Sequence, residues 1–314
     1  MIFREVFETW INDEYVNHVR VMTLYKTKHI YYQYLDQYIG NLDINNFNKR
    51  IILALVSIFE LEINPYTLHK YSNYIKSIIQ KIINKTLKYA YNNELINKVD
   101  LCRIKGSHKR NKEVKVLTKE EQYKLESFAI NNLDKYSYLI GIIIALYSGI
   151  RIGELCALTW DDINLSDNYI LVNKSLSLEI NQETNEYYYS ELYTKTLHSN
   201  RKVIIPKYIN KYLEIAKQMN KSNYVLETAT GKRIPMEQYR YIFINILKQL
   251  NIPRIKFHAL RHTYATRAIE SGMDIKTISE LMGHSSPSIT QSIYIHISRQ
   301  QLIDEMDQYN INVL

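Results

Sequence analysis

The sequence predicts a mainly α-helical protein with one small antiparallel β-sheet: a helical N-terminal domain, a basic linker and an α+β second domain. Three observations carry this prediction. Apolar residues within the first hundred positions recur at spacings of three and four. The stretch from Cys102 to Val116 drops that period and holds six Lys/Arg against one acid. Segments rich in β-prone residues are confined to Tyr169–Pro206. The boundaries follow as 1–101, 102–116 and 117–314.

Within the first domain, Thr23 is positioned to cap VMTLYKTKHIYYQYLDQYIG, which stops at Gly40. Asn46 opens NFNKRIILALVSIFEL. Asn64-Pro65 reads as an N-cap and N1 pair for a long helix reaching Tyr91. Along that segment Ile75, Ile78, Ile79, Ile82, Ile83 and Leu87 form one apolar face, and no strand signal competes. After the basic linker, Thr118 and Glu121 form a capping box. Tyr138 to Tyr147 is an apolar helix closed by Gly149, and RIGELCAL is a short helix behind it. YILVNKSLSL, EYYYSELYTK and RKVIIP read as strands of the sheet, and helices return after Pro206. Gly272 is the candidate cap of MDIKTISELMG, and Ser286-Pro287 that of SITQSIYIHI. This last segment is ambiguous in period, because Ile293, Ile295 and Ile297 alternate like a strand while Ile289, Ile293 and Ile297 share a helix face.

Composition narrows the function. The longest apolar run, Leu139 to Tyr147, is about half of what a membrane helix needs. The N-terminus MIFREVFETW lacks the basic and apolar regions of a signal peptide, so a cytoplasmic protein that does not meet the membrane is expected. Cys102 and Cys156 form no CxxC or Cys/His pattern, which argues against a disulfide framework and a zinc site. The net charge is +8, and residues 1–113 hold 17 Lys+Arg against 11 Asp+Glu. A polyanion, nucleic acid first, is the partner this charge suits.

Four stretches place polar residues in apolar settings: YSGIRIGEL, TKTLHSNRKVIIP, FHALRHTYAT and LMGHSSPSITQSIYIH. Each has an ordinary reading. Arg151 and Glu154 are a possible i,i+3 ion pair, Lys195 a solvated turn residue, and His284 a helix-end residue. Tyr294 is one of 28 tyrosines. His258 and His262 are spaced like a zinc pair, but HALRH lacks the glutamate of HExxH and a third ligand.

Taken together and in order, the four stretches resemble the tyrosine recombinase (phage integrase) family, of the mobile-element type. That family carries an Arg with an acid three residues on, a Lys on a β-hairpin, HxxR, GH and a C-terminal Tyr. Here the matching residues are Arg151 with Glu154, Lys195, His258 with Arg261, Gly283-His284 and Tyr294. The flanks SGIRIGEL, TKTxxSxR, HALRHTYAT and LMGHSS also match. Ile295 stands where the family usually has a small or polar residue. The resemblance implies a helical core-binding domain over 1–101, starting almost at once with no arm-binding domain before it. It implies an α+β catalytic domain over 117–314 with a helical tail, and it favours a helix around Tyr294.

It also implies a site-specific DNA recombinase that cuts and rejoins strands through a 3′-phosphotyrosine, without metal, ATP or other cofactor. A resolvase of the Xer type and a type IB topoisomerase are the alternatives. Arg151 and Arg261 would hold the scissile phosphate, with His258 and His284 assisting. Lys195 would be the general acid, Tyr294 the nucleophile, and Glu154 the group that orients Arg151. Lys105, Lys109, Arg110, Lys112 and Arg201 are candidate DNA contacts. The implied partners are double-stranded DNA at a specific site, a homotetramer on two duplexes, and host or element-encoded DNA-bending factors.

Overall fold

A computed structural model describes residues 1–104, 115–181, 183–184, 186–193 and 200–283. The chain packs as two compact units, Met1–Glu113 with Glu179–Tyr188, and Val114–Leu178 with Tyr189–Leu314. It is mainly helical with small antiparallel sheets.

The first unit contains α1 (Phe3–Trp10), α2 (Val16–His18), α3 (Val21–Ile30), α4 (Asp36–Ile39), α5 (Lys49–Leu61) and α6 (Asn73–Asn92). π-turns at Ile11–Tyr15 and Tyr31–Leu35 join α1 to α2 and α3 to α4. Its core is aromatic: the Phe7 and Tyr31 rings stack with centroids 3.7 Å apart, and Trp10 lies 4.7 Å from Tyr15. Ile79, Ile82, Ile83 and Leu87 of α6 are buried against this cluster, as their spacing predicts.

Several boundaries differ from the sequence reading. α3 begins at Val21 after Arg20, so Thr23 lies inside the helix and not at its cap. Asn48, not Asn46, caps α5, accepting from the amides of Arg50 and Ile51. Asn64 does not open the long helix. It belongs to a two-residue ladder, β1 (Ile63–Asn64) with β2 (His69–Lys70), and its Oδ1 accepts from the Tyr66 amide inside the turn. Ser72 caps α6 instead. An Asn side chain serves a turn as well as a helix start, and Asn-Pro alone does not separate the two. Cys102 and Ile104, placed by sequence in the linker, are buried in the helical core. There the Asn84 side chain bonds both the amide and the carbonyl of Cys102.

In the second unit Thr118 and Glu121 cap α7 (Lys119–Asn131) reciprocally. α8 (Ile140–Ser148) is almost wholly buried and ends at Gly149, whose φ of 59° is left-handed. An added Cβ there would meet the Tyr264 ring at 2.5 Å, so glycine is required twice over. α9 (Ile152–Ala157) follows. The β region splits in two rather than forming one sheet. β3 (Ile163–Asn164), β4 (Tyr169–Val172) and β7 (Arg201–Ile204) form a sheet in the order β3-β4-β7, while β5 (Lys174–Ile180) pairs with β6 (Tyr187–Tyr193). The segment YILVNKSLSL therefore breaks at Asn173. α10 (Asn210–Met219), α11 (Met236–Gln249), α12 (His258–Glu270) and α13 (Ile275–Met282) are the helices that follow among the described residues. Asp274, not Gly272, caps α13, its side chain accepting from the Thr277 amide.

Candidate active site: arginines at a helix end

Arg151 emerges where α8 stops. The left-handed turn at Gly149 frees the chain, Ile150 is buried, and Arg151 becomes the N-cap residue of α9. Glu154, at the third position of α9, reaches back to it. Its Oε2 accepts from the Arg151 amide at 3.0 Å, and its Oε1 accepts from the Arg151 guanidinium at 2.8 Å. The pair is unequal in exposure: the Glu154 side chain keeps 5% of its surface and that of Arg151 40%. The carboxylate is a buried anchor, and the guanidinium it holds still faces outward.

Arg261 lies one turn into α12 and is 2% exposed. It donates to the Gly149 carbonyl at 2.6 Å and to the Met282 carbonyl at 2.7 Å. Burial first, and then the Arg151 charge, push its pKa down to about 9, so it stays charged at neutral pH. His258 opens the same helix on the surface. Partial desolvation, followed by the charges of Arg261 and Arg151, holds its pKa below the ordinary value. A neutral imidazole beside two arginines can accept a proton. His262 stands edge-on to His258 with centroids 4.7 Å apart. Burial and then His258 push its pKa to about 4, and its buried Nδ1 has no hydrogen-bond partner among the described residues. Among the described residues, no group of three or more His, Cys, Asp or Glu has the arrangement of a metal site.

Arg201, expected among the DNA contacts, turns into the unit. Its side chain is 8% exposed and donates to both oxygens of Glu154, at 3.2 and 2.9 Å. Its Nε donates to the Leu281 carbonyl at 2.9 Å. The signal was present in the strand period: Arg201 shares the inward face of β7 with buried Val203, while Lys202 and Ile204 are exposed. The alternation of β7 thus places this long cation inward despite its polar sequence surroundings.

Three arginines thus converge on one helix end. The last carbonyls of α13 lack partners within the helix and carry its partial negative charge. Leu281 accepts from Arg201, Met282 from Arg261, and Gly283 from Arg151 at 3.0 Å. Gly283 has φ 65°, and an added Cβ would meet Arg201 Cδ at 2.9 Å. Burial alone would raise the Glu154 pKa, but Arg201 and then Arg151 outweigh it and leave it lowered. The cluster therefore carries three positive charges against one negative, a surplus suited to an anion. Of the remaining predicted residues, Lys195, His284, Tyr294, Lys105, Lys109, Arg110 and Lys112 lie outside the described residues.

The model of the phage integrase family matches residues 115–301, and that of the phage integrase N-terminal SAM-like domain matches residues 2–57. A tyrosine recombinase XerC-like protein of Caldanaerobacter subterraneus is 28% identical over 262 residues, 78% of this chain and 66% of that protein. Tyrosine recombinase XerC of Pediococcus pentosaceus is 32% identical over 174 residues, 54% of this chain and 53% of that one. The chain thus spans about half to two thirds of these relatives. Among solved structures, a fragment of the Tn1549 transposon integrase in complex with a circular intermediate DNA superposes with a TM-score of 0.76. It covers 99% of this chain and 100% of that one at 20% identity. A lambda integrase tetramer bound to a Holliday junction gives 0.66 at 15% identity, covering 93% and 77%. At these identities the two structures speak for the fold.

Proposed function

The chain belongs to the phage integrase family, and we propose that it is a site-specific DNA recombinase of a phage or mobile element. The observation that carries this reading is the arginine cluster: Arg151 and Arg261 are held side by side at the end of α13, with Glu154 as the buried anchor of Arg151. Two fixed guanidinium forks suit the non-bridging oxygens of a phosphodiester, whose negative charge grows during attack.

In the reaction, the Tyr294 oxygen attacks phosphorus and the bond to the 5′-oxygen breaks. The phenol proton passes to neutral His258. An ordinary tyrosine has a pKa near ~10 and needs such an acceptor. Lys195 gives a proton to the leaving 5′-oxygen, and His284 donates to a non-bridging oxygen. The product is a 3′-phosphotyrosine and a free 5′-hydroxyl. A 5′-hydroxyl from a partner strand reverses the step, so no nucleotide cofactor is consumed. The protein would act in the cytoplasm as a homotetramer on two duplexes, with DNA-bending factors assisting. Lys105, Lys109, Arg110 and Lys112 would lie along phosphates.

A nicked suicide duplex carrying the DNA that flanks the gene tests this. A covalent protein–DNA adduct is expected with the wild-type chain and none with Tyr294→Phe. An adduct with Tyr294→Phe moves the nucleophile elsewhere, and no adduct at all removes the recombinase reading. Relaxation of a supercoiled plasmid lacking the site would favour the topoisomerase alternative. Replacing Lys109, Arg110 and Lys112 with Gln should flatten the salt dependence of binding, and an unchanged slope takes the linker off the phosphates.

A further inference from the structure

We propose that Arg201 is a positioning residue for the phosphate-binding arginine: it completes the buried network that fixes Arg151 and ties it to the end of α13. The inference rests on the recombinase reading and adds to it a residue that does not itself touch DNA.

Glu154 is the pivot. Each of its oxygens accepts from Arg151 and from Arg201, so the carboxylate is shared between an exposed cation and a buried one. A buried carboxylate with only Arg151 to satisfy it would draw that guanidinium inward, away from a ligand. With Arg201 opposite, the pull is balanced and the exposed fork stays on the Gly283 carbonyl. Arg201 also grips the preceding turn through the Leu281 carbonyl, and its stem packs where a Gly283 side chain would stand. One residue therefore links β7, α9 and the carboxyl end of α13. The chain leads directly from that end into His284, and Lys195 lies six residues before Arg201. A lysine at 201 keeps the charge but cannot bridge two carboxylate oxygens and a carbonyl at once.

The test uses the full chain and the suicide duplex described above, with non-covalent affinity measured separately on uncut DNA. Arg201→Met keeps the stem and removes the charge. It should slow adduct formation on the order of 10- to 100-fold, the usual loss when a group that orients a site's ligand is removed, while affinity changes little. Arg201→Lys should recover part of the rate, and serves if Arg201→Met does not fold. In a Glu154→Gln background, Arg201→Met should add almost nothing, because the carboxylate it balances is gone. A merely structural role would lower the melting temperature and give additive losses, and additivity overturns the proposal. A 5′-thio leaving group should not rescue Arg201→Met. Rescue would route the effect through the Lys195 segment and also overturn it. Absence of adduct from the wild-type chain would instead count against the recombinase reading.

Discussion

Among the described residues, the largest fully buried side chain of the helical unit is Trp10, packed among Phe7 and Tyr15, and that of the second unit is Arg261. The tryptophan contributes by removing apolar surface from water. The arginine contributes by donating to two buried carbonyls that would otherwise be orphaned, one at the end of α8 and one at the end of α13. In the first unit, then, none of the proposed catalytic groups belongs to the described core. In the second, the groups that close the fold are the groups to which the proposed reaction assigns the phosphate. Stability and function should separate under mutation in one unit and move together in the other.

Arg261→Ala should show the largest effect. It removes a donor to the reacting phosphate, worth about 10²–10³ in rate. It also leaves two buried carbonyls unpaired, at roughly 1–3 kcal/mol each. Adduct kinetics and thermal melting should fall together, and a variant that melts normally would break the comparison. Trp10→Ala should cost about 3–5 kcal/mol of stability through the cavity it leaves. The adduct rate at saturating DNA should hold below the new melting point, and a matching loss of rate would show that the aromatic core is not separate.

A smaller, pH-dependent effect should map to the second unit. The folded pKa of His262 is about 4, well below its ordinary value. The unfolded chain therefore takes up a proton first as pH falls. The stability contributed by the neutral ring is present above about pH 6.5. It is lost as pH drops toward the folded value, and is flat below it. His262→Phe should remove this part of the acid dependence in melting curves measured from pH 7 to pH 4. An unchanged curve would assign it to other groups. Smallest of all, Thr118→Ala should cost about 1 kcal/mol through the lost cap of α7, read as a shift in denaturant midpoint with the adduct rate unchanged.

Much of the second unit was readable in one dimension because its signals are local. Thr118 with Glu121 and the left-handed Gly149 each mark a boundary within a few residues. The edges of the helical unit are less legible in the sequence. Asn46 and Asn64 are good caps by type, yet Asn48 and Ser72 do the capping. The choice among neighbouring polar residues is made by which one lets the apolar face of α5 or α6 reach the aromatic core. The split of the β region at Asn173 escaped for a similar reason, since β4 and β5 both read as strand and only their partners differ.

By itself the sequence determined the helical periods, most stops and starts, and the order of Arg151, His258, Arg261 and Gly283 along the chain. Only the tertiary structure decided that Arg201 turns inward and that it joins Arg151 and Arg261 on three successive carbonyls at the end of α13, Leu281 to Gly283. Those hydrogen bonds span 80, 132 and 21 residues of sequence. Propensity and capping act over a turn or two, whereas an orphaned carbonyl at a buried helix end is satisfied by whichever donor the packing brings to it. The need for donors there is local, but their identity is fixed by the fold.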